Sequence, residues 1–553
     1  MLKIRQAAVV FIAIAALSGC CGNTGQADYG VIPKPQSMEP GSGGEVFTLD
    51  KKTTISWTSG DGRMENTAEL LKDYIMESTG IETRLTDSRD GNSGIVLSTG
   101  YESENPEAYH ITIDGGRIEV EGASEAGVFY GVQFLRKSLP TMKCSRVTFP
   151  EATVTDFPRF GYRGGLFDTC RYFYTVDEVK TFIDMLAMHN MNKFHWHLND
   201  DQGWRIEIQK YPKLTEIGSM RKETVIGHKD NPQGYDGTPH GGFYTQDEIR
   251  DIVDYAAKRF ITIIPEIDLP GHMQAALAAY PELGCTGGPY EVATTWGVSD
   301  QVLCVGKDKT YTFITDILTE VLDLFPSEYI HIGGDECPKT EWEKCPACQA
   351  KIRELGLKDD SKFTKEEYLQ SYVTHFVEDF LTKHGRRIIG WDEILDGGLS
   401  PDVTVMYWRG WEGDRPWIEA TSQHHDVIMC PTDYFYFDYY QSEDRENEPL
   451  GFGGYVPVEK VYGYEPVSPK MPEDEKQYII GVQANLWTEY IKDFKHAQYM
   501  ALPRFAAASE VQWTMPEKKD YADFLDRLPH LASLYDLCGY TYAKHVFGQT
   551  EQE

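Results

Sequence analysis

Short apolar runs that end in polar residues recur along the chain from residue 156 onward, with amphipathic segments between them. Eight of these runs have the length and composition of buried parallel strands. Eight strand–helix repeats predict an α/β fold, a closed (β/α)8 TIM barrel over residues 156–515. About nine residues separate the fifth and sixth runs, so we expect that crossover helix to be short or missing. The predicted strands are residues 163–170, 191–200, 261–269, 329–336, 387–393, 403–409, 426–432 and 479–489.

Residues 29–155 show a different pattern, typical of a small α+β accessory domain that precedes the barrel. Apolar residues at helical spacing predict helices over residues 67–78 and 124–139. Alternating residues on either side of Gly115 and Gly116 predict a β-hairpin. Residues 516–553 form a C-terminal segment, and its residues 521–535 predict a last helix packed on the barrel.

The first 19 residues have the features of a targeting segment. Lys3 and Arg5 precede an apolar run over residues 7–17, and small residues lead directly to Cys20. This pattern resembles a bacterial lipoprotein signal, with cleavage before Cys20 and acylation of its thiol. An ordinary secretory signal is the alternative. We therefore expect export, lipid anchoring at the bacterial cell envelope, and a flexible tether over residues 20–28.

The charge narrows the classes of partner. The chain has 53 basic and 86 acidic residues, a net charge of −33, which argues against nucleic acid and anionic membrane surfaces. Solubility is the simplest explanation of this charge. Of the eleven tryptophans only Trp57 precedes residue 160, and indole rings stack well on sugar faces.

One stretch, Tyr329 to Trp342, carries the strongest chemical signal. A β-rich run is followed by Gly333 and Gly334 and then by two adjacent acids, Asp335 and Glu336. Acids at the carboxyl end of a barrel strand are typical of catalysis. Most other predicted strands also end in acids, aromatic rings or His272, whereas the first offers Arg163 at its start. Together they predict an acidic, aromatic-walled pocket for a neutral, hydroxyl-rich ligand.

The sequence also offers a candidate metal site at two histidines, and it lacks the common cofactor motifs. His195 and His197 face the same way on one strand and could bind zinc with Asp200 or Asp201, but a place in the barrel core is the better interpretation. The sequence contains no serine-nucleophile elbow, phosphate-binding loop or dinucleotide fingerprint, so we expect no cofactor.

The cysteines allow a second metal hypothesis. Cys337, Cys345 and Cys348 lie close in sequence, but a zinc site normally needs a fourth protein ligand or a water. We therefore expect no structural zinc here, and a local disulfide or free thiols instead. Cys285 and Cys304 bracket a glycine-containing loop and could form a disulfide across it.

Several of these stretches resemble glycoside hydrolase family 20, the β-N-acetylhexosaminidases. The resemblance covers about residues 29–515 and is specific. It rests on the Asp335-Glu336 stretch and on five further motifs: Tyr162-Arg-Gly-Gly, His195-Trp-His-Leu-Asn-Asp-Asp-Gln-Gly-Trp204, His240-Gly-Gly-Phe-Tyr-Thr, Pro265-Glu-Ile-Asp-Leu-Pro-Gly-His272 and Asn485-Leu-Trp-Thr-Glu489.

The resemblance implies an exo-acting, retaining enzyme that removes terminal GlcNAc or GalNAc from glycans. The substrate's own acetamide oxygen acts as nucleophile and an oxazoline forms. Glu336 corresponds to the general acid and base, and we expect Asp335 and burial to raise its pKa. Asp335 corresponds to the group that orients the acetamide and stabilises its charge.

Other positions match residues that hold the sugar in this family. The resemblance implies an acetamide pocket walled by Trp391, Trp408 and Trp487, with Tyr436 as hydroxyl donor. It implies hydroxyl binding by Arg163, Asp438 and Glu489, and support of the site by Asp200 and His272.

Two alternatives stay open. A conventional β-glycosidase would use Glu336 with Glu393 or Glu489 and would not need an acetamide. A non-catalytic glycan-binding lipoprotein would bind sugar without turnover.

Overall fold

The computed structural model describes residues 23–58, 62–87, 94–400 and 402–548. The proposed signal segment and Cys20 lie outside these residues. The predicted flexible tether over residues 20–28 is wrong in its described part, because Thr24–Gln26 forms a strand that pairs with Arg146–Pro150. Within the described part, no helix is long and apolar enough to cross a membrane.

The first domain contains two sheets and two helices. The larger sheet has seven strands, in the spatial order Ser37–Pro40, Ala152–Asp156, Tyr109–Ile113, Ile118–Gly122, Ile95–Thr99, Thr54–Trp57 and Arg84–Thr86. The smaller sheet contains Thr24–Gln26, Arg146–Pro150 and Val46–Leu49. The helices Arg63–Thr79 and Glu125–Ser138 pack on the larger sheet and on each other. Both predicted helices and the predicted hairpin are confirmed.

The second domain is a closed barrel of eight parallel strands, as the sequence predicted. The first strand closes the barrel by pairing with the eighth, where Tyr162 lies opposite Gly481. The strands are β1 (Tyr162–Asp168), β2 (Lys193–His197), β3 (Thr262–Glu266), β4 (Tyr329–His331), β5 (Arg387–Trp391), β6 (Thr404–Tyr407), β7 (Val427–Met429) and β8 (Ile479–Leu486).

Helices surround the barrel except between β5 and β6, where a short 3-10 turn, Asp392–Leu395, replaces the crossover helix as expected. Three helices start with capping boxes, at Thr175, Thr245 and Thr364, which satisfy the free N–H groups of their first turns. The principal helices of this domain and the C-terminal segment are Val176–Met188, Gln246–Ala257, Asp308–Leu324, Lys365–Lys383, Arg415–Ser422, Phe494–Ala501, Arg504–Trp513 and Tyr521–Cys538.

Shorter elements fill the connecting loops. The hairpins pair Asn199–Asp200 with Gly203–Trp204, Met220–Arg221 with His240–Gly241, and Val225–His228 with Asn231–Tyr235. The short helices are Lys213–Glu216, Gln274–Ala279, Thr340–Lys344, Pro346–Leu355, Thr432–Phe435 and Val458–Tyr462. Further 3-10 turns are Pro281–Leu283, Gly410–Glu412, Lys476–Tyr478, Pro516–Lys518 and Lys544–Phe547.

Arg163 joins the two domains and does not reach the predicted pocket. It is the second residue of β1, so it lies at the amino end of the barrel, whereas the acids follow the carboxyl ends. Its side chain is fully buried, and its two terminal nitrogens lie 2.7 and 3.0 Å from the carboxylate oxygens of Glu107 in the first domain. It also donates to the Tyr130 hydroxyl, at 2.8 Å. The prediction that Arg163 holds a sugar hydroxyl is wrong.

A second buried contact lies beside it. The Asp156 carboxylate accepts hydrogen bonds from the Tyr109 hydroxyl at 2.7 Å and from the Trp513 indole at 3.0 Å. Burial raises the pKa of Asp156 to about 6, against which these hydrogen bonds act. The last barrel helix is therefore tied to the first domain through polar groups that water does not reach.

We expect Arg163→Met to lower the free energy of unfolding by about 3–5 kcal/mol, because it leaves the mostly buried Glu107 carboxylate without its cation. Chemical denaturation measures this loss. The double variant Arg163→Met, Glu107→Met removes both charges and should be more stable than the single variant. A double variant less stable than Arg163→Met would contradict the assignment.

Candidate active site

The loop after β4 places the two adjacent acids in the cleft. Gly333 and Gly334 have φ values of 65° and 96°, a region that favours glycine. A Cβ at Gly333 would also lie 1.8 Å from a carboxylate oxygen of Asp268, so the backbone must approach that side chain closely. Glu336 itself has a φ of 43°. Such strain in a residue with a Cβ is typical of functional sites.

Asp335 and Glu336 both face His272. The His272 Nε2 atom lies 3.7 Å from an oxygen of Asp335 and 3.4 Å from an oxygen of Glu336. The Asp335 side chain is 12% exposed, whereas that of Glu336 is 38% exposed. The first acid therefore lies inside the pocket and the second lies at its mouth.

A chain of charged groups supports this pair. The other nitrogen of His272 lies 3.1 Å from an Asp200 oxygen, and the second Asp200 oxygen lies 2.7 Å from Arg171. Burial opposes a charged imidazole, but Asp200, Asp201 and Glu336 together raise the pKa of His272 well above its usual value. His272 is therefore a cation at neutral pH, held against Glu336.

The pKa values of the two acids differ from expectation. Burial, with the nearby charge of Asp268, raises the pKa of Asp335 well above its usual range. Burial also acts to raise the pKa of Glu336, but the hydrogen bond and charge of His272 outweigh it and lower this pKa. The expected increase in the pKa of Glu336 is wrong for the free site. His272 and Glu336 are far apart in sequence, so the sequence did not show that they are direct neighbours.

Trp408, Tyr436 and Trp487 line the cleft, and the buried Trp391 packs against both tryptophans. The ring centroids of Trp391 and Trp487 are 5.7 Å apart, and those of Trp408 and Tyr436 are 6.0 Å apart in a stacked arrangement. The Trp391 indole donates to Glu266 at 2.9 Å and the Trp408 indole donates to Glu393 at 2.8 Å, which fixes both rings. Asp335 lines the same cleft as Trp408, Tyr436 and Trp487.

Two further acids lie at the other end of the same cleft. Asp438 and Glu489 each carry a buried carboxylate oxygen that has no hydrogen-bond partner among the described residues. Burial raises the pKa of both groups, and the charge of Glu489 raises the pKa of Asp438 further. Oxygens of this kind need donors from a ligand. The cleft has a volume of about 240 Å³ and opens to solvent.

Arg171 was missed from the sequence and occupies the place expected for Arg163. It lines the cleft, lies 3.1 Å from an Asp168 oxygen, and its guanidinium carbon is 5.1 Å from the centre of the Trp487 ring. It follows the carboxyl end of β1, the end at which every other predicted site residue was sought. That rule, applied to the first strand as to the others, would have found it.

His195 and His197 lie beneath the pocket around a buried acid. One ring nitrogen of His197 contacts Glu266, and the other lies 3.0 Å from an Asp200 oxygen. The Nε2 atom of His195 lies 3.1 Å from a Glu266 oxygen. His331 is also 3.1 Å from Glu266. Glu266 therefore organises three imidazoles and the Trp391 indole at the base of the site.

Two family models match the sequence of this chain. The profile described as "Glycosyl hydrolase family 20, catalytic domain" matches residues 160–516, and "Glycosyl hydrolase family 20, domain 2" matches residues 28–157. A "Beta-hexosaminidase" of Porphyromonas gingivalis is 43% identical over 525 residues. That match covers 93% of this chain and 64% of the relative, so the chain spans less than two thirds of its length.

Two further proteins match over nearly their whole length. A "Beta-N-acetylhexosaminidase" of Cellulomonas fimi is 31% identical, with 93% of this chain and 96% of the relative covered. The solved structure of a mutant Streptomyces plicatus beta-hexosaminidase in complex with its product GlcNAc has a TM-score of 0.80 and 30% identity, with 95% and 98% covered. The chain belongs to glycoside hydrolase family 20.

Proposed function

We propose that this protein is an exo-acting, retaining β-N-acetylhexosaminidase that removes terminal GlcNAc or GalNAc by substrate-assisted catalysis. The observation that carries the proposal is the position of Asp335. One of its oxygens is buried without a partner among the described residues, in a cleft that is also lined by Trp408, Tyr436 and Trp487, with Glu336 at the cleft mouth. A carboxylate in that place can receive an amide N–H from the substrate.

Sugar binding divides between the two ends of the cleft. Asp438, Glu489 and the Arg171 guanidinium offer acceptors and a donor to the hydroxyls of one terminal sugar. Trp391, Trp408 and Trp487 enclose the acetamide methyl, and the Tyr436 hydroxyl donates to the acetamide oxygen. Because Asp438, Glu489 and Arg171 bind the hydroxyls of the terminal sugar, the rest of the glycan can continue only outward, past Glu336.

The reaction then proceeds in two steps. The acetamide oxygen attacks the anomeric carbon, the glycosidic C–O bond breaks, and Glu336 gives its proton to the leaving oxygen. Asp335 accepts the acetamide N–H and stabilises the positive charge of the oxazoline intermediate. Water next attacks the same carbon as Glu336 takes its proton, and the oxazoline C–O bond breaks. Two inversions give retention.

Binding of the sugar favours a proton on Glu336, where the first step of the reaction requires it. In the free site the raised pKa of Asp335 and the lowered pKa of Glu336 favour the proton on Asp335. An acetamide N–H donated to Asp335 favours its ionised form, and exclusion of water by the sugar favours the neutral form of Glu336. Substrate therefore moves the proton from the orienting acid to the catalytic acid.

The two-carboxylate alternative is less well supported. Glu393 accepts from the Trp408 indole and lies 3.8 Å from Arg409, so its carboxylate is already engaged. Glu489 lies with Asp438 among the hydroxyl-binding groups, where it serves binding rather than attack at the anomeric carbon.

The decisive experiment compares two aryl β-glycosides with the same leaving group, one of GlcNAc and one of glucose. We expect turnover of the GlcNAc substrate only, because the acetamide supplies the nucleophile. Comparable turnover of both would indicate a protein nucleophile. Binding of GlcNAc without turnover would support a glycan-binding protein. Glu336→Gln is the negative control and should keep GlcNAc binding.

We expect Asp335→Asn to lower kcat by about 10²–10³-fold, because charge stabilisation of the oxazoline is lost. The residual kcat/KM of the variant should also begin to fall, on the alkaline side of its pH profile, at a lower pH than that of the wild type. In the wild type the last proton is held by the raised pKa of Asp335, whereas in the variant only Glu336, whose pKa is lowered, retains one.

A pH profile of the variant against the wild type measures this shift. Asp433→Asn makes the same chemical change at an exposed position near the cleft and is the matched control. An alkaline limb that stays in place, or moves to higher pH, would contradict the proton placement.

We also propose export and lipid anchoring through Cys20, supported by the basic residues, the apolar run and the small residues that precede it. We expect metabolic labelling with a fatty acid to mark the wild-type chain, and Cys20→Ala to abolish the label. Cys21→Ala is the matched control and should keep it. Label that survives in Cys20→Ala would contradict acylation at this residue.

A further inference from the structure

Four cysteines from two separate segments converge beside the catalytic loop. Cys285 and Cys304 come from the loop after β3, and Cys345 and Cys348 from the helical loop after β4. The Cys304 sulfur lies 3.6 Å from the sulfurs of both Cys345 and Cys348, and the Cys285 sulfur lies 3.9 Å from that of Cys348. All four sulfurs lie within 4.8 Å of one another.

These separations are those of a tetrahedral thiolate site. Zinc–sulfur bonds of about 2.3 Å at tetrahedral angles place the sulfurs about 3.8 Å apart. The three sulfur separations, between 3.6 and 3.9 Å, match the edges of that tetrahedron. We propose that Cys285, Cys304, Cys345 and Cys348 bind one structural Zn²⁺ ion.

A pair of disulfides fits this arrangement less well. A disulfide holds its sulfurs about 2.05 Å apart, and each sulfur has a single partner. Here Cys304 is equally close to two sulfurs, so no pair is singled out. The nine cysteines of the described residues all carry free thiols, and the expected bridge between Cys285 and Cys304 is not formed.

The surroundings of the cluster are built for a closed site. Cys304 and Cys348 are fully buried, and Cys345 is 5% exposed. A Cβ at Gly306 would lie 2.3 Å from the Cys348 backbone nitrogen, so the two segments approach each other as closely as backbones can.

The sequence also carries the expected ligand spacing. Cys345-Pro-Ala-Cys348 is a C-x2-C pair, the form in which zinc ligands commonly occur. The expectation of no structural zinc rested on Cys337 as the third ligand and on the lack of a fourth. Cys337 is outside the cluster. Of the two missing ligands, Cys304 lies 41 residues before Cys345, and Cys285 lies 63 residues before Cys348.

The ion would join the two loops that form one wall of the cleft. One loop carries Gly297 and Val298, which line the cleft, and the other starts at Asp335. Polar contacts also join them, including the Trp342 indole on the Leu303 carbonyl at 2.8 Å and Thr340 on Asp300 at 2.7 Å. Metal binding, with loss of the four thiol protons, is therefore a cross-link beside the catalytic acids.

The experiment measures metal in the purified full chain by mass spectrometry of the elements, together with a count of reactive thiols. We expect one zinc ion per chain, and protection of four thiols that a chelator under denaturing conditions releases. Replacement by Co²⁺ should give the sulfur-to-cobalt absorption and the intense visible bands of tetrahedral tetrathiolate coordination. These readouts do not depend on enzymatic activity.

Cys348→Ser should lose the ion and melt at a lower temperature. Cys337→Ser is the matched control, a buried cysteine of the same segment outside the cluster, and should keep one ion per chain. A wild-type chain without metal overturns the proposal, whether its four thiols are free or joined in disulfides. Because that result is read on the wild type, failure of Cys348→Ser to fold does not protect the proposal.

Discussion

Closure of the parallel barrel is the constraint on which the site depends. Eight strands run in the same direction around one axis, so their carboxyl ends meet at a single rim. Residues far apart in sequence, such as Arg171 and Glu489, then line one cleft. No local element could bring so many acids together, because the cost of their mutual repulsion must be met by a rigid scaffold.

The concentration of acids has an electrostatic consequence. Asp268, Asp335, Asp438 and Glu489 are all more easily protonated than free carboxyls, because burial and neighbouring charges oppose their ionisation. Arg171 and His272 supply the positive charge that keeps Asp200 and Glu336 ionised. In the free pocket Asp335 therefore favours its protonated form, whereas Asp200 and Glu336 favour the ionised form.

Much of this architecture could be predicted from the sequence, because apolar periodicity identifies the strands and the polar residues that follow them identify the rim. Asp335 and Glu336 are evident for that reason. The assignment of Arg163 was wrong because a residue at the start of its strand lies at the opposite end of the barrel from the cleft, and the lowered pKa of Glu336 depends on a contact between two loops. The cysteine cluster was missed for the same physical reason, since its ligands come from two segments whose proximity only folding defines.

The ion pair between Arg163 and Glu107 has a consequence for the evolution of this architecture. The barrel floor places a guanidinium where only the first domain supplies an anion, and Trp513 likewise directs its indole to Asp156 of that domain. The barrel is therefore not a free module. Exchange of the first domain between relatives would preserve folding only if Glu107, Tyr130 and Asp156 were inherited together with the barrel residues that they serve.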